Sequence, residues 1–142
     1  MSKKENIEHE LRIKITKVKV LSFVISEVSE NNQEKDELVF NTRIHLDFDS
    51  QLRSLKILVV VKSYTVDEET FSEIKVENVF EYESSTEFLQ DNDGFEFPRF
   101  VLDRLVENSI SNVRGILVEK FKGTKYQNQI MPLISFSNFE KE

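Results

Sequence analysis

The amino-acid sequence predicts an α+β fold in which a four-stranded antiparallel sheet is followed by one long helix. Two observations predict it. Residues 11–84 contain four strand-like segments joined by polar links, and residues 98–123 carry a helical repeat. Polar links favour antiparallel pairing, and a run of strands followed by a helix is typical of α+β folds. We therefore expect the 142 residues to form a single domain, with residues 1–10 disordered.

The first strand is predicted to begin near Leu11, because apolar and polar residues alternate from there to Ile15. The alternation changes parity at Val18, which predicts a β-bulge near residues 16–17. One long strand that passes under other elements is the alternative explanation. A charged loop is expected at residues 27–37.

Three more strands are predicted at residues 38–49, 55–66 and 71–84. The second strand alternates cleanly between apolar and polar residues, and the fourth alternates apolar residues with glutamates. The third is apolar on both parities at residues 57–61, which predicts that both of its faces are covered.

The helix is predicted to start with Pro98, because a proline in the first turn loses no hydrogen bond. Gly115 interrupts the repeat at a cost of about 1 kcal/mol and marks a bend or a close contact. Gly123 is the predicted stop. The apolar stripe consists of Val101, Leu102, Leu105, Val106, Ile110, Val113, Ile116 and Leu117.

Composition excludes several classes of function. The net charge of −7 disfavours binding to nucleic acid, so no nucleic-acid partner is expected. The chain has no cysteine and therefore no disulfide or thiolate chemistry. No apolar run reaches the roughly 20 residues of a membrane span, and the first ten residues lack the apolar core of a signal peptide. A cytoplasmic protein without membrane insertion is the expectation.

The sequence also indicates that the protein is not an enzyme. His9 and His45 are isolated, and His45 is interpreted as a solvent-facing strand residue. No serine stands in a nucleophile elbow, and no glycine-rich phosphate loop is present. The segment 91–94 (DNDG) superficially suggests calcium, but the glutamate expected at the end of such a loop is missing. We interpret it as a turn and expect no catalytic residue, metal or cofactor.

The candidate site is apolar surface on the face of the sheet away from the helix. A homo-oligomer interface and a groove for extended polypeptide are the two interpretations, and they are compatible. The predicted residues are Leu58, Val60, Val39, Leu21 and Val24. The fourth strand also carries an acidic face, interpreted as a solvated surface or as a docking face for a basic partner, with residues Glu73, Glu77, Glu81 and Glu83.

The segment that follows the helix carries a family resemblance. Residues 123–133 (GTKYQNQIMPL) resemble the segment after the first helix of SecB-type protein-export chaperones, which has the pattern Gly-Thr-x-x-Gln-x-x-Leu-x-Pro-Val. Residues 109–117 and Lys120 resemble divergent SecB-like proteins of anaerobic and gut-type bacteria. The residues that match in type and spacing are Gly123, Thr124, Gln127 and Pro132.

This resemblance implies a SecB-like holdase chaperone that works without ATP and binds unfolded polypeptides along apolar grooves. It implies assembly as a homodimer or homotetramer and, as a partner, an export motor ATPase or an antitoxin. The family continues into a second helix, whereas residues 134–142 leave no room for a full one. The alternative is therefore an interaction protein of the same fold that has one dedicated partner, for example in a toxin–antitoxin system.

Overall fold

The computed structural model describes residues 11–28, 37–84 and 98–132, and these form four strands and one helix in the predicted order. The α+β prediction is confirmed. His9 and the turn predicted at residues 91–94 lie outside the described residues, as does the chain after Pro132. The elements are β1 (Leu11–Ile25), β2 (Val39–Asp49), β3 (Ser54–Tyr64), β4 (Thr70–Ser84) and α1 (Arg99–Lys120).

The sheet has the strand order β1-β4-β3-β2, and each neighbouring pair is antiparallel. Short turns join β2 to β3 and β3 to β4, as the polar links predicted. β1 pairs with β4 instead of β2, so the consecutive strands β1 and β2 lie at opposite edges of the sheet. Among the described strands, β1 and β2 each have one neighbour and form the two edges.

β1 contains two bulges, one at Thr16 and one at Leu21. The first confirms the bulge predicted near residues 16–17, and the Thr16 hydroxyl donates a hydrogen bond to the Val79 carbonyl over 3.3 Å. The second was not predicted. Each bulge leaves one residue unpaired and increases the local twist, which explains the two changes of apolar parity along this strand.

The core lies between α1 and one face of the sheet, which we call the inner face; the opposite face is the outer face. α1 packs against β3 in the middle of the sheet. The inner face of β3 and β4 contributes buried aliphatic and aromatic side chains, namely Leu55, Ile57, Val59, Val61, Ile74, Val76 and Phe80. The helix contributes Val106, Ile110, Val113 and Leu117.

The helix begins one residue later than predicted. Pro98 has an extended ψ of 142° and therefore precedes the helix, while its carbonyl accepts hydrogen bonds from the N–H groups of Val101 and Leu102. α1 ends at Lys120, and Gly123 takes a positive φ of 85° just beyond it, consistent with its role as a stop.

The residues after α1 fold back onto the domain, and we call residues 121–132 the C-terminal segment. Tyr126 and Met131 are buried, and the Phe71 ring meets the Tyr126 ring edge-on at 4.8 Å. The Leu38 N–H donates to Gln129 Oε1 at 3.1 Å, and Arg114 Nε donates to the Met131 carbonyl at 2.6 Å. The segment therefore joins α1 to the start of β2 and completes the core there.

Candidate functional site

The sheet is wider than the helix that covers it. Four strands about 4.8 Å apart span roughly 15 Å between outer strand axes, whereas a helix with its side chains is about 10 Å across. Because α1 lies over β3, inner-face side chains on both edge strands stay partly in solvent. The exposed ones are Ile15, Val18 and Ile25 on β1, and Leu46 and Phe48 on β2.

A groove runs between β1 and the first half of α1, and we call it the β1 groove. Its volume is about 490 Å³, and it is shallow and open to solvent. Apolar side chains form its floor, and polar side chains of α1 form its rim. The floor consists of Ile13, Ile15, Phe80 and Leu105; the rim consists of Arg104, Glu107, Asn108 and Ser111.

The flank on the β2 side differs from the β1 groove. At the start of β2 the C-terminal segment fills the space beside α1. Two hydrogen bonds hold it there, one from the Leu38 N–H to the Gln129 side chain and one from the Arg114 side chain to the Met131 carbonyl. At the far end of β2, Leu46 and Phe48 remain 37% and 39% exposed. A longer apolar stretch therefore stays open beside β1 than beside β2.

The predicted site residues lie on the outer face, but the structure does not bring them into one apolar surface. Leu58 and Val60 are neighbours on β3. Val24 on β1 is separated from them by the charged side of β4, which includes Glu73. Val39 lies at the start of β2, opposite Tyr64, and Leu21 occupies the second bulge of β1. Their role in binding or assembly stays a prediction.

One member of this set differs from expectation in its exposure. Val60 was expected to be exposed on an isolated chain, but it is only 3% exposed, while Leu58 is half-buried. Arg43 and Lys75 stand opposite Val60 on the neighbouring strands, and long basic side chains cover apolar neighbours with their methylene stems. Leu58 is therefore the more accessible of the two residues.

The acidic face on β4 is flanked by basic residues on both sides. Lys62 Nζ on β3 lies 3.8 Å from Glu73 Oε2. The register with β1 places a cation opposite each of the other three glutamates, in the pairs Lys19–Glu77, Lys14–Glu81 and Arg12–Glu83. The negative charge is thus partly compensated within the sheet, and its use as a docking face stays a prediction.

His45 and Tyr82 are two further titratable residues of the described part of the chain. His45 is exposed on the outer face, as predicted. Burial raises the pKa of the Tyr82 phenol, an effect that Arg53 partly offsets. No group of three or more histidine or carboxylate side chains converges as a metal site within residues 11–28, 37–84 and 98–132. The helix in this part of the chain is not both long and apolar enough to span a membrane.

Sequence reasoning missed the β1 groove. Ile13, Ile15 and Val18 were recognised as strand residues, but their exposure depends on the position of β1 at an edge, beyond the reach of α1. The pattern of one strand does not reveal its place in a sheet. The available signal was that the predicted sheet, β1 included, carries more apolar residues than one helix can cover.

A search of solved structures gives the fold. Over 87% of this chain and 91% of the other, the structure matches the SecB-like chaperone Rv1957 of Mycobacterium tuberculosis, solved in complex with a ChAD peptide from the HigA1 antitoxin, with a TM-score of 0.62 and 8% identity. The chain has the SecB-like fold. It also matches a protein of unknown function from Streptococcus agalactiae at a TM-score of 0.48 and 11% identity, over 89% and 99% of the two chains. No family model and no curated protein sequence matches it.

Proposed function

We propose that this protein is an ATP-independent holdase chaperone that binds unfolded polypeptides along the β1 groove. The observation that carries the proposal is the exposed apolar surface beside α1, where the floor residue Ile15 is 42% exposed and Val18, the next inner-face residue of β1 beyond the bulge, is 44% exposed. The SecB-like fold supports it, because one protein of this fold was solved with a peptide bound.

The groove suits reversible and permissive binding. Burial of one aliphatic side chain contributes about 1.5–3 kcal/mol, so two or three client side chains would contribute several kcal/mol before the costs of association. Such contacts are non-directional and accept many sequences. The rim residues Arg104, Asn108 and Ser111 are polar and suit the backbone of an extended chain. Neither nucleotide nor metal is needed for this activity.

The proposal places the protein in the cytoplasm as a homodimer or homotetramer, in line with the resemblance to SecB-type chaperones. Leu58 is our proposed contact between copies, because this apolar side chain is only half-buried in a single chain and a second copy could cover the rest. An export motor ATPase is a proposed partner for the acidic face that includes Glu81 and Glu83, which are exposed.

The second candidate function is the binding of one dedicated partner, such as an antitoxin. It is favoured by the peptide in the Mycobacterium tuberculosis complex, which comes from an antitoxin. A dedicated partner would occupy the same groove with one sequence and high affinity, whereas a holdase would protect many unrelated chains.

The test is an aggregation assay with several unrelated unfolded clients, without nucleotide. The groove variant Ile15→Ser/Val18→Ser replaces one floor residue and the exposed inner-face residue that follows it on β1. It is compared with Leu52→Ser/Val66→Ser, in which both replaced residues are exposed but lie outside β1 and the groove lining. We expect wild type and the control variant to suppress aggregation and the groove variant to lose most of this activity. Leu58→Ser tests the outer face in the same assay.

The outcomes separate the candidates. If unrelated clients aggregate equally with and without the wild-type protein while one partner binds tightly, the dedicated-partner function replaces the holdase. If Leu58→Ser loses protection and the groove variant keeps it, clients bind the outer face and our assignment of the β1 groove is wrong. Light scattering on the same variants reports whether Leu58 contributes to assembly.

A further inference from the structure

The outer faces of the strands carry charge in columns. β1 presents a row of exposed cations, which we call the β1 basic row, made of Arg12, Lys14, Lys17 and Lys19. The next strand, β4, presents the four glutamates of the acidic face, and β3 presents Lys56 and Lys62. The outer face is therefore basic at the β1 edge and mainly acidic on β4, where Lys75 is the one cation between Glu73 and Glu83.

Among the described strands, β1 has a hydrogen-bonded neighbour on one edge only, which is β4. The backbone of β1 is therefore unpaired along the edge that lies away from β4. Such an edge accepts a further extended strand through main-chain hydrogen bonds, and pockets on the two faces then select its side chains. Here the two faces of β1 differ in chemistry. The outer face is basic, and the inner face carries Ile13, Ile15, Val18 and Val20 beside the β1 groove.

We propose that the β1 edge binds an extended segment of a partner in which acidic and apolar residues alternate. The acidic side chains would face the β1 basic row, and the apolar side chains would face the β1 groove. About eight residues are needed to follow β1 from Arg12 to Lys19, at roughly 3.3 Å per residue. This inference rests on the proposed function and states the client chemistry that the groove prefers.

Distance decides which charges act on the added strand. Side chains directly opposite on adjacent strands lie about 5 Å apart, whereas the acidic column of β4 would be two strands away, at about 10 Å. Salt screens exposed charges over about 8 Å, so the basic row dominates over the glutamates and over the net charge of −7. Opposite charges across a strand pair stabilise it, and like charges destabilise it.

The same rule disfavours a second copy of β1 as the occupant. In an antiparallel pair of identical strands, the outer face of one copy continues the outer face of the other, so Lys14 and Lys17 would meet lysines of their own kind. A partner segment with acidic residues avoids the repulsion between cations.

Binding of three labelled nine-residue peptides, followed by fluorescence anisotropy, tests the proposal. The first alternates valine and glutamate, and the second alternates valine and lysine. The third has the same composition as the first, but its valines form one block and its glutamates another. We expect the first to bind most tightly. Lys14→Gln/Lys19→Gln should weaken its binding about threefold to tenfold and leave the block peptide unchanged. The control Lys56→Gln/Lys75→Gln removes two exposed lysines of interior strands and should change binding less than twofold.

The proposal is overturned if the lysine peptide binds as tightly as the glutamate peptide, or if the two double variants behave alike. It is also overturned if Lys17→Cys forms an interchain disulfide much faster than the β2 control Asn41→Cys, since that would place a second β1 on the edge; the chain has no other cysteine. Failure here leaves the holdase standing if unrelated clients are still protected. Tight binding of the glutamate peptide without protection of clients would instead contradict the holdase alone.

Discussion

Asn112 on α1 donates a hydrogen bond from its Nδ2 to Oδ1 of Asn78 on β4, over 3.0 Å. Asn78 is fully buried on the inner face, and its own Nδ2 donates to the Ile57 carbonyl over 3.3 Å. A buried amide needs such partners, because each unmade hydrogen bond costs about 1–3 kcal/mol. The pair therefore ties the middle of α1 to one position along the sheet, which apolar packing alone does not specify.

The first prediction concerns this pair. Asn78→Ala should lower the free energy of unfolding by about 1–3 kcal/mol, and Asn112→Ala by less, because Asn112 is half-buried and water can replace its partner. A double-mutant cycle in urea should give a coupling of about 0.5–1.5 kcal/mol between the two residues. Additive effects would mean that the hydrogen bond contributes nothing to stability.

The second prediction concerns the face of α1 that packs on the sheet. Ile110→Ala should cost about 2–5 kcal/mol, because Ile110 is almost fully buried. Leu105→Ala should cost less than Ile110→Ala, since Leu105 is half-buried in the floor of the β1 groove. The exposed control Asn108→Ala should stay within about 0.5 kcal/mol. Urea denaturation measures all three, and equal costs for Ile110 and Asn108 would refute this helix orientation.

The comparison between sequence and structure is clearest for α1. The apolar stripe was predicted from its spacing, and Val113 and Leu117 face the sheet as expected. Leu102 and Leu105, also expected to face the sheet, lie half-buried at its flank. The stripe is wide enough to allow several rotations of the helix. Ser109 is buried, and its hydroxyl donates a hydrogen bond to the Leu105 carbonyl at 2.9 Å. Because serine is polar, the sequence gave no indication that this position belongs to the buried face of α1.

Strand limits were predicted within two residues, because alternation follows directly from the pleat of a half-buried strand. The order of strands was not predictable, since the charged loop predicted at residues 27–37 could lead equally well to a neighbouring position in the sheet or to the far edge. The candidate site depended on that order. Leu58 and Val60 were correctly assigned to the face opposite the helix, but the exposed groove formed at the β1 edge.

The third prediction compares the two described glycines at the end of α1. An added Cβ at Gly115 would meet no atom within 4 Å, so the sequence-based alternative of a close contact does not hold within this chain. Gly115→Ala should therefore stabilise the protein by about 0.5–1 kcal/mol. Gly123→Ala should destabilise it by about 1–2 kcal/mol, because Gly123 has a φ of 85°. Thermal and urea denaturation measure both; a cost at Gly115 would indicate a contact with another copy.

The fourth prediction concerns alkaline pH. The pKa of Tyr82 is raised by burial, so the folded state keeps the phenolic proton at a pH where the unfolded state has lost it. The contribution of Tyr82 to stability is complete below pH about 10 and falls as the pH rises above that value. The free-energy difference between wild type and Tyr82→Phe should therefore decrease above pH 10. A difference that stays constant to pH 11 would contradict the raised pKa.

The last prediction concerns the C-terminal segment. Met131→Ala should cost about 2–5 kcal/mol if the segment belongs to the core, whereas the exposed control Ile130→Ala should cost far less. Gln129→Ala removes the acceptor of the Leu38 amide, so hydrogen exchange at Leu38 should accelerate while exchange in β3 stays unchanged.

Loosening of this segment should also open the β2 side of the helix. Because Tyr126 and Met131 fill that space, Met131→Ala should increase the fluorescence of a bound apolar dye and add client contacts beside β2. Ile15→Ser/Val18→Ser in the same background separates the two flanks. If dye binding rises in Met131→Ala and survives loss of the β1 groove, the C-terminal segment shields a second apolar surface. If dye binding stays at the wild-type level, the helix and β2 close that flank without it.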